Sequence, residues 1–540
     1  MIREPALCLR GDIVAEPLIN SWYAWPHLIS PATCAMNVAG RHLKIMRSYE
    51  QSPQIHASAV RNPKMLGGPF IDYEGNRVPE IRRLIDHTRT AQARHIEFAE
   101  AVRALNELLR REATGFCLDP LYERIPEPLR GYVEIFYDLR NVPSYRFFEP
   151  LLYRSDLYDR SLQTLHTHAT DNDHRPFALS TPRLPDDKSV TIRVPFESPA
   201  LDSLFATRYR PGCVPEIAEA LQIPAAYRSL FRSFFTEERP PARTRYEGGG
   251  IRIRYFGHAC LLLETPDFSL MSDPVVSFPY RGANSRYTYE DLPPAIDFVV
   301  ITHNHQDHVL IETLLQLRHM IGTVVVPRNG GGQLQDPSLK LTLKALGFAN
   351  VVELDEMETI DLPRGVLTAL PFLGEHADLG IRAKLCHHVS VGGWSTVFAA
   401  DSCAIDIAVY RRVHQAVGDI DVLFIGMECD GAPLSWLYGS LLAEPVARDQ
   451  DRSRKLSGSN FERASALVEL FHPKEVYVYA MGQEPWLNYI MSIKYTEQSL
   501  PITESNRLIA WCRGRGIVAE RLFCMKETFY GAQVCQTTTY

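Results

Sequence analysis

The sequence has no long apolar run, no CxxC pair of cysteines and no marked excess of charge. A helix that crosses a bilayer needs roughly 18–20 apolar residues, and no run in the chain approaches that length, so no membrane contact is expected. The net charge of −7 argues against a nucleic-acid partner. The first residues lack a charged segment followed by an apolar one, so we predict no secretion signal.

The eleven cysteines are scattered and odd in number. Without a secretion signal, this usage indicates reduced thiols and predicts a cytoplasmic location. The chain is 45% hydrophobic and 22% charged, which is ordinary for a globular protein. Its 540 residues are enough for two or more domains with large cores.

One segment without helix or strand signals divides the chain. Residues 236–250 combine paired prolines, mixed charges and three consecutive glycines, a composition that sustains neither helix nor strand. We therefore predict two domains, residues 1–245 and residues 246–540.

The first domain is predicted to be mixed in structure but rich in helix. Apolar residues recur at helical spacing within residues 85–112. No catalytic motif is found in residues 1–235. His166 and His168, with His174 shortly after them, stand among polar residues, which favours a solvated loop over a metal site.

The second domain alternates strand and helix patterns. Residues 251–255 alternate apolar and charged side chains, as a half-buried strand does, and residues 298–301 form an entirely apolar strand. Helical patterns at 311–320 and 341–348 separate the strand patterns that follow. This alternation predicts an α/β fold in which two sheets pack face to face and helices cover both outer sides, an αββα sandwich.

A cluster of histidines follows directly on that apolar strand, where residues 301–308 read Ile-Thr-His-Asn-His-Gln-Asp-His. Burying three imidazoles and a carboxylate without partners would cost several kcal/mol. His303 and His305 alternate onto one side of the chain, whereas Asp307 and His308 can turn towards a second metal nearby. We therefore predict a pair of metal ions here. The alternative is a polar surface loop.

Further polar residues come after strands downstream of the cluster. Glu375 and His376 follow an apolar pattern at 367–370, Asp401 follows the next one, and Glu428 follows a third. Sites in layered α/β folds are built at strand ends. Each strand is therefore expected to contribute a side chain to one edge of the sandwich.

These motifs make residues 251–485 resemble the metallo-β-lactamase superfamily. The matching strings are Tyr-Phe-Gly-His-Ala (255–259), Ser-Asp-Pro (272–274), Thr-His-Asn-His-Gln-Asp-His (302–308) and Ala-Asp-Ser (400–402). The resemblance implies that Asp401 bridges two metal ions. It also implies four further ligands from the cluster, namely His303, His305, Asp307 and His308.

The sequence departs from the superfamily pattern at two of the remaining ligand positions. Where a typical hydrolase supplies a further histidine, Glu375 competes with His376, and near Met481, where its last histidine would fall, there is none. With Glu428 nearby, the predicted donor set is rich in carboxylate oxygen. Such a set favours a harder ion such as iron over zinc, which has no redox chemistry.

The whole chain resembles a narrower family, the diiron β-hydroxylases of nonribosomal peptide assembly, typified by the enzyme of the chloramphenicol pathway. The matching strings are Gly-Glu-His (374–376), Ala-Asp-Ser-Cys (400–403), Gly-Met-Glu-Cys-Asp-Gly (426–431) and Ala-Met-Gly-Gln-Glu-Pro-Trp (480–486). The resemblance implies seven metal ligands in two sets. They are His303, His305 and Glu375 on one iron, Asp307, His308 and Glu428 on or beside the other, and Asp401 bridging both.

The same resemblance implies a function, the hydroxylation of the β-carbon of an aminoacyl group with two iron ions, O2 and an external electron donor. Glu375, Glu428 and Asp401 would be the catalytic carboxylates. The aminoacyl group would be a thioester on a carrier domain of a peptide synthetase, in the biosynthesis of an antibiotic or another natural product. The N-terminal domain would help to form a homodimer and a docking face for the carrier.

Two other functions stay open at this stage. A dinuclear zinc or manganese hydrolase, of the lactonase or phosphodiesterase type, would attack an ester with a metal-bridging hydroxide, and a binding scaffold would have lost its site. Asp273 is expected to orient a ligand histidine. His258 is expected to shape the loop beside the site, with metal binding as the alternative. His387 and His388 are expected to lie away from the metals.

Overall fold

The computed structural model describes residues 5–531. The outermost residues of the two predicted domains, 1–4 and 532–540, lie outside this range, and the prediction about a secretion signal falls partly on the first of them. Within the described range, no helix has both the length and the apolar character that crossing a bilayer requires.

The N-terminal half contains a four-stranded antiparallel sheet, in the order β3–β2–β6–β7, and two strand pairs, β1 with β8 and β4 with β5. Its strands are β1 (Cys8–Leu9), β2 (Ile13–Ile19), β3 (Trp22–Tyr23), β4 (Val133–Tyr137), β5 (Pro143–Phe147), β6 (Gln163–Ala169), β7 (Ser189–Arg193) and β8 (Phe235–Thr236).

Helices make up much of the rest of this half. They are α1 (Pro26–Ile29), α2 (Pro31–Asn37), α3 (Leu43–Gln51), α4 (Pro53–Ala59), α5 (Val78–Ala91), α6 (Ala93–Glu112), α7 (Asp119–Tyr122), α8 (Glu149–Leu152), α9 (Pro199–Ala206), α10 (Val214–Ala220) and α11 (Arg228–Ser233). A π-helical segment, Val38–His42, joins α2 to α3. The helical pattern within 85–112 is confirmed, as the end of α5 and all of α6.

The C-terminal half is a sandwich of two seven-stranded sheets, which confirms the predicted αββα fold. The first sheet has the order β14–β13–β12–β11–β10–β9–β24 and the second the order β15–β16–β17–β18–β19–β22–β23. The strands are β9 (Ile251–Gly257), β10 (Cys260–Glu264), β11 (Ser269–Ser272), β12 (Ile296–Val300), β13 (Ile321–Pro327), β14 (Val351–Leu354), β15 (Thr359–Leu362), β16 (Gly365–Leu370), β17 (Cys386–Val391), β18 (Trp394–Phe398), β19 (Val422–Gly426), β20 (Ala432–Pro433), β21 (Lys455–Leu456), β22 (Glu475–Tyr479), β23 (Val518–Arg521) and β24 (Lys526–Tyr530).

Helices cover the outer faces of this sandwich. They are α12 (Ile311–Leu317), α13 (Leu339–Ala345), α14 (Ile407–Val417), α15 (Leu434–Tyr438), α16 (Arg448–Ser453), α17 (Phe461–Phe471), α18 (Asn488–Met491) and α19 (Leu500–Arg513). Residues of α14, α17 and α19 pack on the second sheet. Those of α12 and α13 belong to the core of the first sheet.

The alternation of side chains along β10 shows how the layers are held together. Leu261 and Leu263 belong to the core between the two sheets. Cys260 and Leu262 point the other way, into a core shared with helices of the N-terminal half. Both faces of this strand are therefore buried, which explains its continuous apolar sequence. The boundary at residue 245 stays a prediction, because the two halves share this core.

A buried group of charges also joins the two halves. Arg175 Nη2 lies 2.6 Å from both Glu16 Oε1 and Glu312 Oε2, and Arg183 Nε lies 2.8 Å from Glu16 Oε2. The hydroxyl of Tyr23 donates to Glu312 Oε2 at 2.9 Å. Because Glu312 belongs to α12, this group ties the N-terminal sheet to the helix that follows the histidine cluster.

A single buried carboxylate forms a second link. Glu149 of α8 accepts hydrogen bonds from the side chain of Asn329 at 2.8 Å and from the backbone of Ser338 at 2.9 Å. Burial raises the pKa of Glu149 to about 7. This carboxyl group can therefore change its charge near neutral pH.

The prediction of a solvated loop at His166 and His168 is wrong. Both lie on β6, between β2 and β7, and their burial lowers the pKa of each ring. The polar residues after β6 suggested a loop, but β6 pairs with strands that are distant in sequence. Glu16 lies close to both rings, yet Arg175 and Arg183 already hold its carboxylate, so these residues form an ion-pair group.

Candidate metal centre

The predicted site residues lie at the ends of strands, on one edge of the sandwich. The histidine cluster follows β12 in the first sheet, Glu375 follows β16 in the second, and Asp401 follows β18. The parallel strand β19 lies beside β18 and leads to Glu428. Two sheets packed face to face thus bring residues that are distant in sequence to one place.

The backbone turns sharply at several of these strand ends. His258, Asp273 and Ala400 have φ angles of +51°, +35° and +45°, and Gly374 and Glu375 have +83° and +67°. A residue other than glycine held in this left-handed region costs on the order of 1–3 kcal/mol. Such strain collects at functional sites because the surrounding structure holds it in place.

Four side chains form the first group of possible ligands, with donor atoms that all lie within 4.8 Å of one another: His303, His305, Glu375 and His376. Glu375 Oε1 lies 2.7 Å from His305 Nδ1, and Oε2 lies 3.7 Å from His303 Nε2 and 3.1 Å from His376 Nδ1. Both oxygens of Glu375 therefore face imidazole nitrogens. Glu375 and His376 both lie within reach of an ion held by His303 and His305.

The second group consists of His258, Asp307 and His308. Asp307 Oδ2 lies 3.0 Å from His258 Nε2 and 3.6 Å from His308 Nε2. His258 thus contacts one of the predicted ligands directly, and it offers a nitrogen of its own to the same group.

Asp401 lies between the two groups. Its Oδ2 atom is 2.9 Å from His308 Nε2 and 3.8 Å from His303 Nε2. Together with these two histidines it forms a third group of possible ligands. This is the position that a carboxylate bridging two ions would need.

Glu428 is placed differently from the other predicted ligands. Gly431 donates its backbone N–H to Oε2 at 2.9 Å, and Tyr495 donates its hydroxyl to Oε1 at 3.2 Å. Glu428 belongs to none of the groups found within residues 5–531, although it lines the same cavity as Asp307, Glu375 and Asp401. It therefore stands beside the site.

Asp273 contacts the ring nitrogen of His308 that faces away from Asp401, in agreement with the orienting role predicted for it. Its Oδ2 atom lies 2.8 Å from His308 Nδ1 and accepts the Thr302 hydroxyl at 2.6 Å, and its Oδ1 accepts the Thr302 backbone N–H at 2.7 Å. This contact fixes the ring and leaves Nε2 pointing at Asp401.

The site opens into a cavity of about 410 Å³. His305, Asp307, Glu375, Trp436 and Tyr495 are among the residues that line it. A substrate in this cavity would therefore meet carboxylates, an imidazole and aromatic rings.

Comparisons with known proteins agree on one family. The model of the diiron non-heme β-hydroxylase N-terminal domain matches residues 8–240, and that of the β-lactamase superfamily domain matches residues 270–432. The chain is 41% identical over 524 residues to the 4-amino-L-phenylalanyl-[CmlP-peptidyl-carrier-protein] 3-hydroxylase of Streptomyces venezuelae, covering 95% of this chain and 98% of that protein. The chain belongs to the diiron β-hydroxylase family.

A crystal structure from this family shares the whole architecture. CmlA, a diiron β-hydroxylase from Streptomyces venezuelae, matches with a TM-score of 0.91 and 41% identity, over 97% of this chain and 99% of that one. The predicted family, fold class and use of two iron ions are confirmed. As a member of the family the protein is a non-haem diiron monooxygenase, so we set aside the hydrolase and scaffold alternatives.

The donor atoms of the site fit a pair of irons. Within the described chain, His303 Nε2, Glu375 Oε2 and Asp401 Oδ1 are buried and have no hydrogen-bond partner. Buried polar atoms without partners are costly, and metal ions would satisfy all three. Imidazole and carboxylate donors together suit iron.

The pKa shifts around the site also fit bound cations. Burial lowers the pKa of His303 and His376, which keeps both rings in the neutral form that binds metal. The charges of Asp401, Asp307 and Asp273 overcome burial and raise the pKa of His308. Carboxylates that stabilise a proton on this ring would stabilise a metal ion in its place.

In this β-hydroxylase, sequence reasoning missed Tyr438. Its hydroxyl lies 2.8 Å from His305 Nε2, on the far side of the ring from Glu375. Tyr438 ends α15, in a segment without a recognisable motif, so no local signal identified it. His387 and His388 lie on β17, and they belong to none of the possible ligand groups within residues 5–531.

Proposed function

We propose that this diiron β-hydroxylase inserts one oxygen atom from O2 at the β-carbon of an aminoacyl group held as a thioester on a carrier domain of a nonribosomal peptide synthetase. The proposal rests on similarity to an enzyme named for acting on an aminoacyl-[peptidyl-carrier-protein]. This chain is 41% identical to that enzyme and covers 98% of that enzyme's length. The product would serve the biosynthesis of an antibiotic or another natural product.

The proposed metal ligands are the seven residues predicted from the sequence. We assign His303, His305 and Glu375 to one iron, Asp307 and His308 to the other with Glu428 beside it, and Asp401 to both. The assignment is supported by the short distances among six of these side chains. His258 and His376 are the alternatives that proximity brings to the same two groups.

Two irons reduced by an external donor would supply the activation of O2, chemistry that the side chains of the protein lack. The chain itself would hold and orient the ions. Tyr438 and Asp273 fix the rings of His305 and His308 from outside. Burial raises the pKa of Glu428 to about 7.

Intact mass spectrometry of an aminoacyl carrier domain tests the proposal. The carrier is incubated with iron-loaded enzyme, a reductant and O2, and we expect a gain of one oxygen atom on the aminoacyl group. Asp307→Ala should abolish both iron binding and this gain. Asp361→Ala changes an exposed aspartate on β15 and should leave both intact.

The opposite results would overturn the assignment. Hydroxylation that survives Asp307→Ala would show that the metal centre lies elsewhere. If the purified protein binds zinc and hydrolyses the thioester without inserting oxygen, the protein is a hydrolase and the proposed function is wrong.

A homodimer built through the N-terminal half is part of the proposal. Phe116, Leu139 and Val142 are large, apolar and exposed. The hydroxyl of Tyr137 binds the backbone of both Gly115 and Phe116, which holds the Phe116 loop against the hairpin formed by β4 and β5. Apolar side chains exposed together mark an interaction surface.

The ten described cysteines are free, which supports a reducing compartment such as the cytoplasm.

A further inference from the structure

A second cavity adjoins the one above the metal centre. Its volume is about 520 Å³. The two cavities share three lining residues, Gly67, Pro433 and Trp436. The indole N–H of Trp436 donates to the carbonyl oxygen of Gly67 at 2.9 Å. These residues form a common wall between the second cavity and the first cavity, which lies above the metal centre.

The second cavity carries positive charge. Arg41 and Lys44 line it, and no carboxylate does. The first cavity is lined by five carboxylates and by Lys494, and the irons would balance the charge of the three carboxylates assigned to them. An anionic ligand would therefore be attracted to the second cavity.

Arg41, which lines this cavity, has one donor atom without a partner. Its Nη2 atom donates to the carbonyl oxygens of Trp436 and Leu437, at 2.6 and 3.0 Å. Its Nη1 atom is buried and has no hydrogen-bond partner within residues 5–531. A buried donor left unpaired is costly, and an anionic oxygen would satisfy it. Lys44 is exposed on α3 and adds a cation on the solvent side.

One short helix connects this cavity to the metal centre. Trp436 of α15 stands in the common wall, and its ring stacks with Phe177, with 6.1 Å between the ring centroids. Two residues later, the hydroxyl of Tyr438 contacts His305. The wall of the second cavity and a contact to a predicted iron ligand therefore belong to one rigid element.

We propose that the second cavity binds the phosphopantetheine arm of the carrier domain, with its phosphate at Arg41 and Lys44. The arm would run past Gly67 and Trp436, which line both cavities, and would place the thioester in the first cavity. This inference rests on the proposed function, because a carrier-bound substrate needs a route from solvent to the irons. Apolar residues such as Phe177 would contact the uncharged part of the arm.

Calorimetric titration of the iron-loaded protein with free phosphopantetheine and with pantetheine tests the inference. The wild type should bind phosphopantetheine at least tenfold more tightly than pantetheine. Lys44→Glu should reduce this preference to less than threefold. The matched control is Arg47→Glu, because Arg47 is also exposed on α3 but does not line the cavity. It should keep the full preference.

Three results would overturn the inference. They are no detectable binding of phosphopantetheine, an unchanged preference in Lys44→Glu, and displacement of phosphopantetheine by an equal concentration of inorganic phosphate. The last result would reduce the cavity to a site for small anions.

Turnover of a loaded carrier domain separates this inference from the proposed function. Lys44→Glu should raise KM at least tenfold, with kcat and iron content within twofold of the wild type. Hydroxylation with an unchanged KM in this variant would overturn the arm site and leave the function standing. Binding of phosphopantetheine that depends on Lys44, without hydroxylation of any carrier thioester, would support the arm site and overturn the function.

Discussion

Tyr438→Phe removes the hydroxyl group that contacts His305 from outside the metal centre. The Tyr438 oxygen lies 2.8 Å from His305 Nε2. Both residues are buried, with 2% of Tyr438 and 4% of His305 exposed. The other ring nitrogen, Nδ1, faces Glu375 at 2.7 Å. With Nδ1 holding the iron, as the proposed assignment has it, Nε2 would carry the proton and would donate it to the tyrosine oxygen. The substitution leaves this buried donor without an acceptor.

Two independent magnitudes set the expected loss of iron affinity. Leaving a buried donor unpaired costs about 1–3 kcal/mol, and about 1.4 kcal/mol corresponds to a factor of ten in an equilibrium constant. Removing a contact that orients a metal-binding histidine typically weakens metal binding about 10–100-fold. We therefore expect Tyr438→Phe to hold iron roughly 10–100-fold more weakly than the wild type.

Competition with a chelator at fixed pH measures this loss as iron retained per chain. Tyr73→Phe is the control, because the hydroxyl of Tyr73 donates to the carbonyl oxygen of Pro182 at 2.6 Å, within the N-terminal half. The control should lower stability without changing iron affinity. Iron retention in Tyr438→Phe equal to the wild type, or an equal loss in Tyr73→Phe, would refute the reasoning.

Three other predictions concern the fold and the assembly. Glu149 has a raised pKa of about 7 in the folded state, so its stabilising contribution is complete below about pH 4.5 and is lost as the pH rises through 7. In urea titrations between pH 5 and pH 8, the free energy of unfolding of the wild type should therefore fall by about 2–3 kcal/mol relative to that of Glu149→Gln. A difference between the two proteins that does not change with pH would contradict this prediction. Arg175→Met leaves Glu16 and Glu312 buried without their shared cation, so the free energy of unfolding should fall by about 3–5 kcal/mol; a loss below 1 kcal/mol would argue against a tight ion-pair group. Leu139→Lys should convert the proposed homodimer to monomer in light scattering, and a dimer that survives the substitution would contradict an interface at this surface.

The C-terminal sandwich could be predicted because its strands are buried in characteristic ways. The alternating residues 251–255 are part of β9, and most of the apolar run 298–301 falls in β12, which ends at Val300. The histidine cluster was recognisable because its residues are adjacent in sequence and follow that strand. Glu375 and Asp401 could be added because each follows a strand of the same sandwich.

The rest of the site depends on contacts that no local pattern records. Tyr438 reaches His305 from α15, more than a hundred residues along the chain. His258 lies in the turn between β9 and β10, and it contacts Asp307, which follows β12, only because the folded sheet brings these two connections together. The prediction about His166 failed for the same reason, because its strand partners and the arginines beside it come from separate segments. Sequence reasoning finds ligands within one motif more readily than the residues that orient them.

Iron analysis with Mössbauer spectroscopy of the wild type and of Asp307→Ala tests the central claim most directly. The claim is that side chains from the ends of β12, β16 and β18 hold two irons in one coupled pair. We predict two irons per chain with the spectrum of a coupled pair in the wild type, and loss of that pair in the variant. Zinc in the purified wild type, or an intact iron pair in Asp307→Ala, would contradict the account.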